Sequence, residues 1–329
     1  MDNNSRTSGF ISSKRRRHFH PLTFLFFLML VAAVLFYFFR DHLLGTGTEE
    51  TIPDILDHAS DMIQPNTDRT VPDGYTVLTM TQAQWGQGDL ILVNSNHACA
   101  LSDGDDLVSV YEQMTGPYFV RDKEVLLSSH LLPQLDAMMT DFQTATGQNF
   151  MNVTSGYRSK EDQQRIYDDN AAQYGEAHTR TFVASPGYSE HQTGLAFDLN
   201  IYYAEDGTCN EFENVPESSW ILDHAHEYGF VQRYAADKTD ITGISNEPWH
   251  FRYVGAVHAA LMHEQNLCLE EYIDEVMRHD FFGEHLTYSL DGKTYDIYFC
   301  AGTNVYVPEN ATYTLSGNNI DGFIVTVET

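Results

Sequence analysis

Cysteine is scarce, with four in 329 residues. None is spaced C-x-x-C, which argues against a cysteine-built zinc site. An oxidising exterior would permit one or two disulfides among Cys99, Cys209, Cys268 and Cys300, and the sequence does not choose among the pairings. Positive charge is equally short. Eighteen Lys and Arg stand against 47 Asp and Glu, a formal net charge of −29. Such a surface repels phosphate backbones and argues against nucleic acid as a partner. Several catalytic signatures are also missing. There is no G-x-S-x-G elbow and no phosphate-binding G-x-x-x-x-G-K-[ST] loop. "HEYGF" (226–230) and "HEQNL" (263–267) both lack the second histidine of H-E-x-x-H. No internal repeat or low-complexity block appears. What remains is 42% hydrophobic, enough for a real core, so global disorder is excluded.

One long uncharged run exists, "PLTFLFFLMLVAAVLFYFF" (21–39), directly after the basic "KRRRHFH" (14–20). As a helix it would span roughly 28 Å at ~1.5 Å per residue, close to a bilayer core of ~30 Å. A cleaved signal is the duller reading. It fits less well, because the run exceeds the usual apolar region of about 7–15 residues and no A-x-A-like site follows. The expectation is a cytoplasmic segment over 1–20 and a transmembrane anchor over 21–39. The chain beyond it is placed outside the cell by the positive-inside rule. A stalk rich in Asp, Glu, Thr and Pro over 40–79 follows, then a main domain over 80–278.

Helical spacing is expected in 124–147, from Ser159 to about Gln173, in 218–230 and in 256–277. Strand-like runs are expected in 88–100, 149–159, 194–203 and 248–255. The tail, 279–329, alternates polar and apolar residues around "DG" and "GNN" turns and reads as a small β-rich appendage. Helices and strands mix without a βαβ rhythm, which indicates an α+β class.

Chemistry concentrates in three segments. "SEHQTGLAFD" (189–198) holds His191 and Asp198. Taken singly, His191 is an ordinary loop histidine. Asp198 lies within an apolar strand and needs a partner there. "NEPWHFRYVG" (246–255) supplies Glu247 and His250, the latter readable alone as a satisfied core histidine. Together His191, Asp198 and His250 match the three protein ligands of a catalytic zinc site, which leaves a fourth position for water. A bound zinc lowers the pKa of its water to roughly 7, and Glu247 is the spare carboxylate able to take the proton. "SGYRSKEDQQ" (155–164) adds Arg158 at a strand-to-helix junction, where a guanidinium can hold a carboxylate or an oxyanion. Its duller reading is a structural ion pair. Gln163, one helical turn on, and Ser189 are candidate substrate contacts. His224, His226, His258 and His263 fall on expected helices and read as exposed or structural, with His258 the one that could approach the site.

The segments "SGYRS", "SEHQTGLAFD" and "EPWHFRYVG" together resemble the VanY-type D-alanyl-D-alanine carboxypeptidases, through S-x-H-x-x-G-x-A-x-D followed by E-x-W-H. The resemblance covers roughly 80–278. It implies a Hedgehog/DD-peptidase-like fold, a central antiparallel sheet flanked by helices. It implies zinc on His191, Asp198 and His250, and Glu247 as catalytic base. Arg158, Gln163 and Ser189 would contact substrate. The implied activity is removal of the C-terminal D-alanine from peptidoglycan stem peptides, at the outer face of a bacterial membrane. Rival readings are an L,D-carboxypeptidase, an endopeptidase, or a zinc-stabilised wall-binding module without turnover. Glu247 favours an enzyme, since a structural zinc site needs no unbound carboxylate beside the metal.

Overall fold

Residues 70–100 and 106–329 are described by the computed structural model. Its strands are β1 (Tyr75–Thr79), β2 (Leu107–Ser109), β3 (Phe119–Val120), β4 (Leu126–Ser128), β5 (Met151–Ser155), β6 (Ala196–Tyr203) and β7 (Thr208–Asn210). They continue as β8 (Phe230–Tyr234), β9 (Glu247–Tyr253), β10 (Leu286–Leu290), β11 (Lys293–Ala301), β12 (Asn304–Pro308), β13 (Tyr313–Gly317) and β14 (Gly322–Glu328). The longer helices are α1 (Leu132–Thr146), α2 (Lys160–Tyr174), α3 (Glu176–Phe182), α4 (Ser218–His224), α5 (Ala256–Glu264) and α6 (Leu269–Val276).

The central sheet runs β3-β5-β6-β9-β8, with β7 on the far part of β6. Its pairings are antiparallel except for short β3 on β5. Alternation along "AFDLNIYY" sends Phe197, Leu199 and Ile201 into the core and leaves Asp198 and Asn200 on the opposite face. Helix α1 covers the apolar face with Leu135, Met138, Met139 and Phe142, the i, i+3, i+4, i+7 stripe of an amphipathic helix.

Several expected boundaries shift. The 124–147 helix begins only at Leu132, because Leu126–Ser128 pairs with Leu107–Ser109 instead. The 256–277 helix is two helices, broken at Asn266 (φ 50), with a reciprocal cap between Cys268 and Glu271 starting the second. The 218–230 helix stops at His224 and tightens into a 3₁₀ turn. "GDLILVN" forms no strand of a sheet. Leu90, Ile91, Leu92 and Val93 are buried, and their segment is a strap tied to the tail. Leu90 N–H donates to Ser316 Oγ at 2.9 Å and Asn319 Nδ2 to Leu92 O at 2.8 Å.

The tail does fold into strands, as a sheet ordered β10-β11-β14-β13, while β12 pairs with β1. The last residues assigned to the stalk, Tyr75–Thr79, are therefore a strand on Asn304–Pro308. The tail is also not a separate appendage. Ile297, Phe299 and Ile324 share one core with Leu90, Val254, Leu261, Tyr272 and Ile273, and Thr70–Thr329 is one unit. No disulfide forms among the described residues; Cys268 and Cys300 are buried free thiols and Cys209 an exposed one. The basic segment, the apolar run 21–39 and the stalk up to residue 69 lie outside the described residues. Among the described residues no helix is long and apolar enough to cross a membrane.

Candidate active site

Register brings the two distant motifs together. On the β6–β9 ladder Asp198 stands directly opposite His250. His191 comes from a one-turn 3₁₀ segment, Glu190–Thr193, just ahead of β6. Gly194 ends that turn at φ +74, and a Cβ on it would meet Leu107 Cδ2 at 2.5 Å, so both conformation and space call for glycine. Gly156 is constrained by space alone, since a Cβ would lie 2.2 Å from Leu126 O. Its carbonyl accepts the Nδ1 proton of His191 at 2.7 Å.

One ligand atom from each of His191, Asp198 and His250 lies within 4.8 Å of the others. His191 Nε2 is 3.3 Å from Asp198 Oδ2, and His250 Nδ1 is 3.1 Å from Asp198 Oδ1. The donor set fits a zinc ion. With Nδ1 of His191 donating to Gly156, its Nε2 lone pair faces a carboxylate oxygen. Burial depresses the pKa of this imidazole against the pull of Asp198, which favours the neutral form that binds metal. Asp198 Oδ1 is buried with no hydrogen-bond partner. Burial would raise the Asp198 pKa, but His191 and His250 hold it well below the usual carboxylate range. Burial likewise opposes protonation of His250, yet the Asp198, Glu190 and Glu247 carboxylates raise it to about 9. Such surroundings stabilise positive charge between the rings.

Glu247 stands beside this set, its Oε2 3.8 Å from His250 Nδ1. Strict alternation puts residues three apart on opposite faces of a strand. The β8–β9 register shifts between Gln232/Tyr234, where Tyr234 pairs with Glu247 while Gln232 pairs with Phe251. That irregularity returns Glu247 to the His250 side. Burial pushes its carboxyl up to about 7, with Asp198 adding to the rise and His250 and Arg158 opposing it.

Arg158 is brought in as expected. Its Nη2 lies 3.8 Å from Asp198 Oδ2 and donates to Ser155 Oγ at 3.0 Å. Gln163 lines a cavity with Arg158, His191, Asp198 and His250. Its Oε1 accepts from Arg158 Nη1 at 2.8 Å and its Nε2 donates to Ala184 O at 2.7 Å, so the oxygen end of the amide holds Arg158. Ser189 lines the same cavity, of about 270 Å³, whose outer walls include Phe182, Ile244 and Trp249.

His258 does not approach the site. Its Nδ1 meets Tyr272 Oη at 2.6 Å and its Nε2 meets Thr326 Oγ1 at 3.1 Å, which places it between α5, α6 and β14. The sequence reading missed Tyr234, whose ring lies 4.8 Å from that of His250. It also missed Glu190 with Arg233 and Arg252, all buried. The available signal was period 2: Arg252 is two residues beyond His250 on one strand and shares its face.

The VanY family model, described as D-alanyl-D-alanine carboxypeptidase, matches residues 124–256. A D-alanyl-D-alanine carboxypeptidase of Enterococcus faecium is 35% identical over 255 residues, covering 76% of this chain and 78% of that protein. The bifunctional D-Ala-D-Ala dipeptidase and D-Ala-D-Ala carboxypeptidase VanXYC of Enterococcus gallinarum is 39% identical over 148 residues, covering 44% of this chain and 78% of that protein. Among solved structures, the vancomycin-resistance D,D-dipeptidase VanXYg, in complex with a D-Ala-D-Ala phosphinate analog, matches with a TM-score of 0.69 at 34% identity. That match covers 78% of this chain and 99% of the other.

Proposed function

Because this chain belongs to the VanY-type D-alanyl-D-alanine carboxypeptidases, we propose that it removes the C-terminal D-alanine from peptidoglycan stem peptides as a zinc-dependent, membrane-anchored hydrolase. The observation that carries this reading is a three-ligand set with a buried carboxylate beside it, Glu247 Oε2 at 3.8 Å from His250 Nδ1. A closed structural site usually spends four protein ligands and needs no such neighbour.

His191 Nε2, Asp198 and His250 Nδ1 would hold the metal. Zinc supplies Lewis acidity there, polarising the scissile carbonyl and making water acidic enough to ionise near neutral pH. Glu247, with its carboxyl pushed up to about 7, takes the proton from water and returns it to the leaving amine. Arg158, braced by Gln163 and Ser155, holds the terminal carboxylate or the developing oxyanion. Ser189 is a second polar contact on the cavity wall. The uncharged run 21–39 behind "KRRR" would tether the domain outside the membrane, next to that substrate.

One experiment addresses activity and anchorage. Membranes from cells producing the full chain are supplied with a stem pentapeptide ending in D-Ala-D-Ala and, separately, with the tetrapeptide. The expected result is loss of one D-alanine from the pentapeptide, read by mass, in the sedimenting fraction. Chelator should abolish it and added zinc restore it. Turnover indifferent to chelator would overturn the zinc mechanism, and cleavage of the tetrapeptide alone would overturn the D,D reading in favour of an L,D-carboxypeptidase. Activity only in the soluble fraction would overturn the anchor.

A further inference from the structure

Behind His250 lies a cluster of four charged side chains that the proposed chemistry does not use. The Glu190 side chain has no solvent exposure, and neither do those of Arg233 and Arg252. Glu190 Oε1 accepts from Arg233 Nε at 2.8 Å and from Arg252 Nη1 at 2.9 Å. Arg233 spends its remaining nitrogens on Glu270, at 2.8 and 2.6 Å. Arg252 Nη2 donates to the carbonyls of Asp89 and Ile91, at 2.9 and 3.0 Å.

Two arginines and two glutamates leave this cluster without net charge. Stability does not explain it, because buried ion pairs often gain less than their desolvation costs. The asymmetry of Glu190 is more informative. Its Oε1 is doubly bonded, while its Oε2 is buried with no hydrogen-bond partner. That oxygen lies 3.7 Å from His250 Nε2, which is also buried and without a partner. The other nitrogen of the same ring, Nδ1, faces Asp198 and Glu247.

We propose that Glu190 is a positioning residue for the metal: its Oε2 accepts the Nε2 proton of His250 and keeps the Nδ1 lone pair turned toward Asp198. The inference rests on the reading of His250 as a zinc ligand. Closing the gap to the ~2.8 Å of a charge-assisted bond needs only a small ring movement, which a cation drawing on Nδ1 would favour. A carboxylate on the second nitrogen of a ligating histidine fixes its tautomer and raises its basicity. Here the carboxylate is itself fixed by two arginines. Those are held by the strap (Asp89, Ile91) and by Glu270 at the start of α6, all outside residues 124–256 that match the family model.

The test is zinc affinity of the full chain, measured by competition with a chromophoric chelator, for the wild type, Glu190→Gln and Glu270→Gln. Both variants leave the arginine cluster one positive charge in excess, but only the first touches His250. The expected result is a 10–100-fold weaker zinc Kd for Glu190→Gln, the usual cost of losing such a partner, with Glu270→Gln nearly unchanged. Equal losses in the two variants, or none in either, would overturn the proposal. Failure of the wild type to bind zinc would instead overturn the reading beneath it. If Glu190→Gln does not fold, proton and nitrogen-15 NMR of histidine-labelled, zinc-loaded wild type decides. A His250 Nε2 proton at the downfield, slowly exchanging position of a bond to a carboxylate supports the assignment, and one that exchanges as a free imidazole N–H refutes it.

Discussion

Burial drives the Glu247 carboxyl up to about 7, against the pull of His250 and Arg158. A base so poised serves proton transfer near neutral pH, and the substitution that isolates it is Glu247→Gln. Turnover should fall by about 10²–10⁴-fold, with zinc content and thermal midpoint held, because no ligand is altered. Asp198→Asn should lose zinc along with rate. Metal analysis beside kinetics separates the two, and equal zinc loss would make Glu247 a fourth ligand of a closed site. At this scale the sequence was most readable where chemistry dictates residue type. His191, Asp198 and His250 stand out because an acid in an apolar strand needs a partner. Glu190, Arg233 and Arg252 did not stand out, because a charged residue is by default expected at the surface. Only three-dimensional neighbours show that these are buried and mutually satisfied. Gln163 lies in the cleft with Arg158, and its bond to Ala184 O joins residues that local sequence does not bring near.

Elements were readable by period and misread at their ends. "AFDLNIYY" and "EPWHFRY" alternate, and both are strands of the central sheet. The irregularity that turns Glu247 toward His250 leaves no mark in composition. "GDLILVN" has a strand's composition but is covered on both sides, and its backbone bonds to tail residues more than 200 positions away; local patterning does not carry such a pairing. His258 shows how one histidine ties helices to the tail. It is 6% exposed and burial lowers its pKa to about 4. The unfolded chain then takes up a proton near pH 6.5 that the folded chain refuses until about pH 4. Its contribution is therefore intact above pH 6.5 and lost as pH falls toward 4, on the order of 3 kcal/mol in all. Urea melts of the wild type and His258→Gln across that window should show the acid slope shallower in the variant. Parallel slopes would mean that another group is responsible.

At the scale of the whole chain, the question is whether residues beyond about 280 are an accessory or part of the catalytic body. The composition of 279–329 suggests an accessory, since alternating strands and tight turns can fold on their own. The packing argues otherwise. Ile297, Phe299 and Ile324 lie in one cluster with Leu90, Leu261, Tyr272 and Ile273. Stripping each such side chain from a core typically costs about 2–5 kcal/mol, and a domain holds only about 5–15 kcal/mol in total. Truncation also removes β12, the partner of β1, and Ser316 and Asn319, which bind the strap. The strap in turn supplies two carbonyls to Arg252, two residues beyond His250 on the same face of β9. A chain ending after residue 280 should therefore fail to give a cooperative thermal transition and should not bind zinc, even though His191, Asp198, Glu247 and His250 are all retained. Calorimetry and metal analysis of that truncated chain check both parts. A truncated chain with the full-length midpoint and stoichiometric zinc would show that the tail is an accessory after all, and that the strap holds Arg252 without its help.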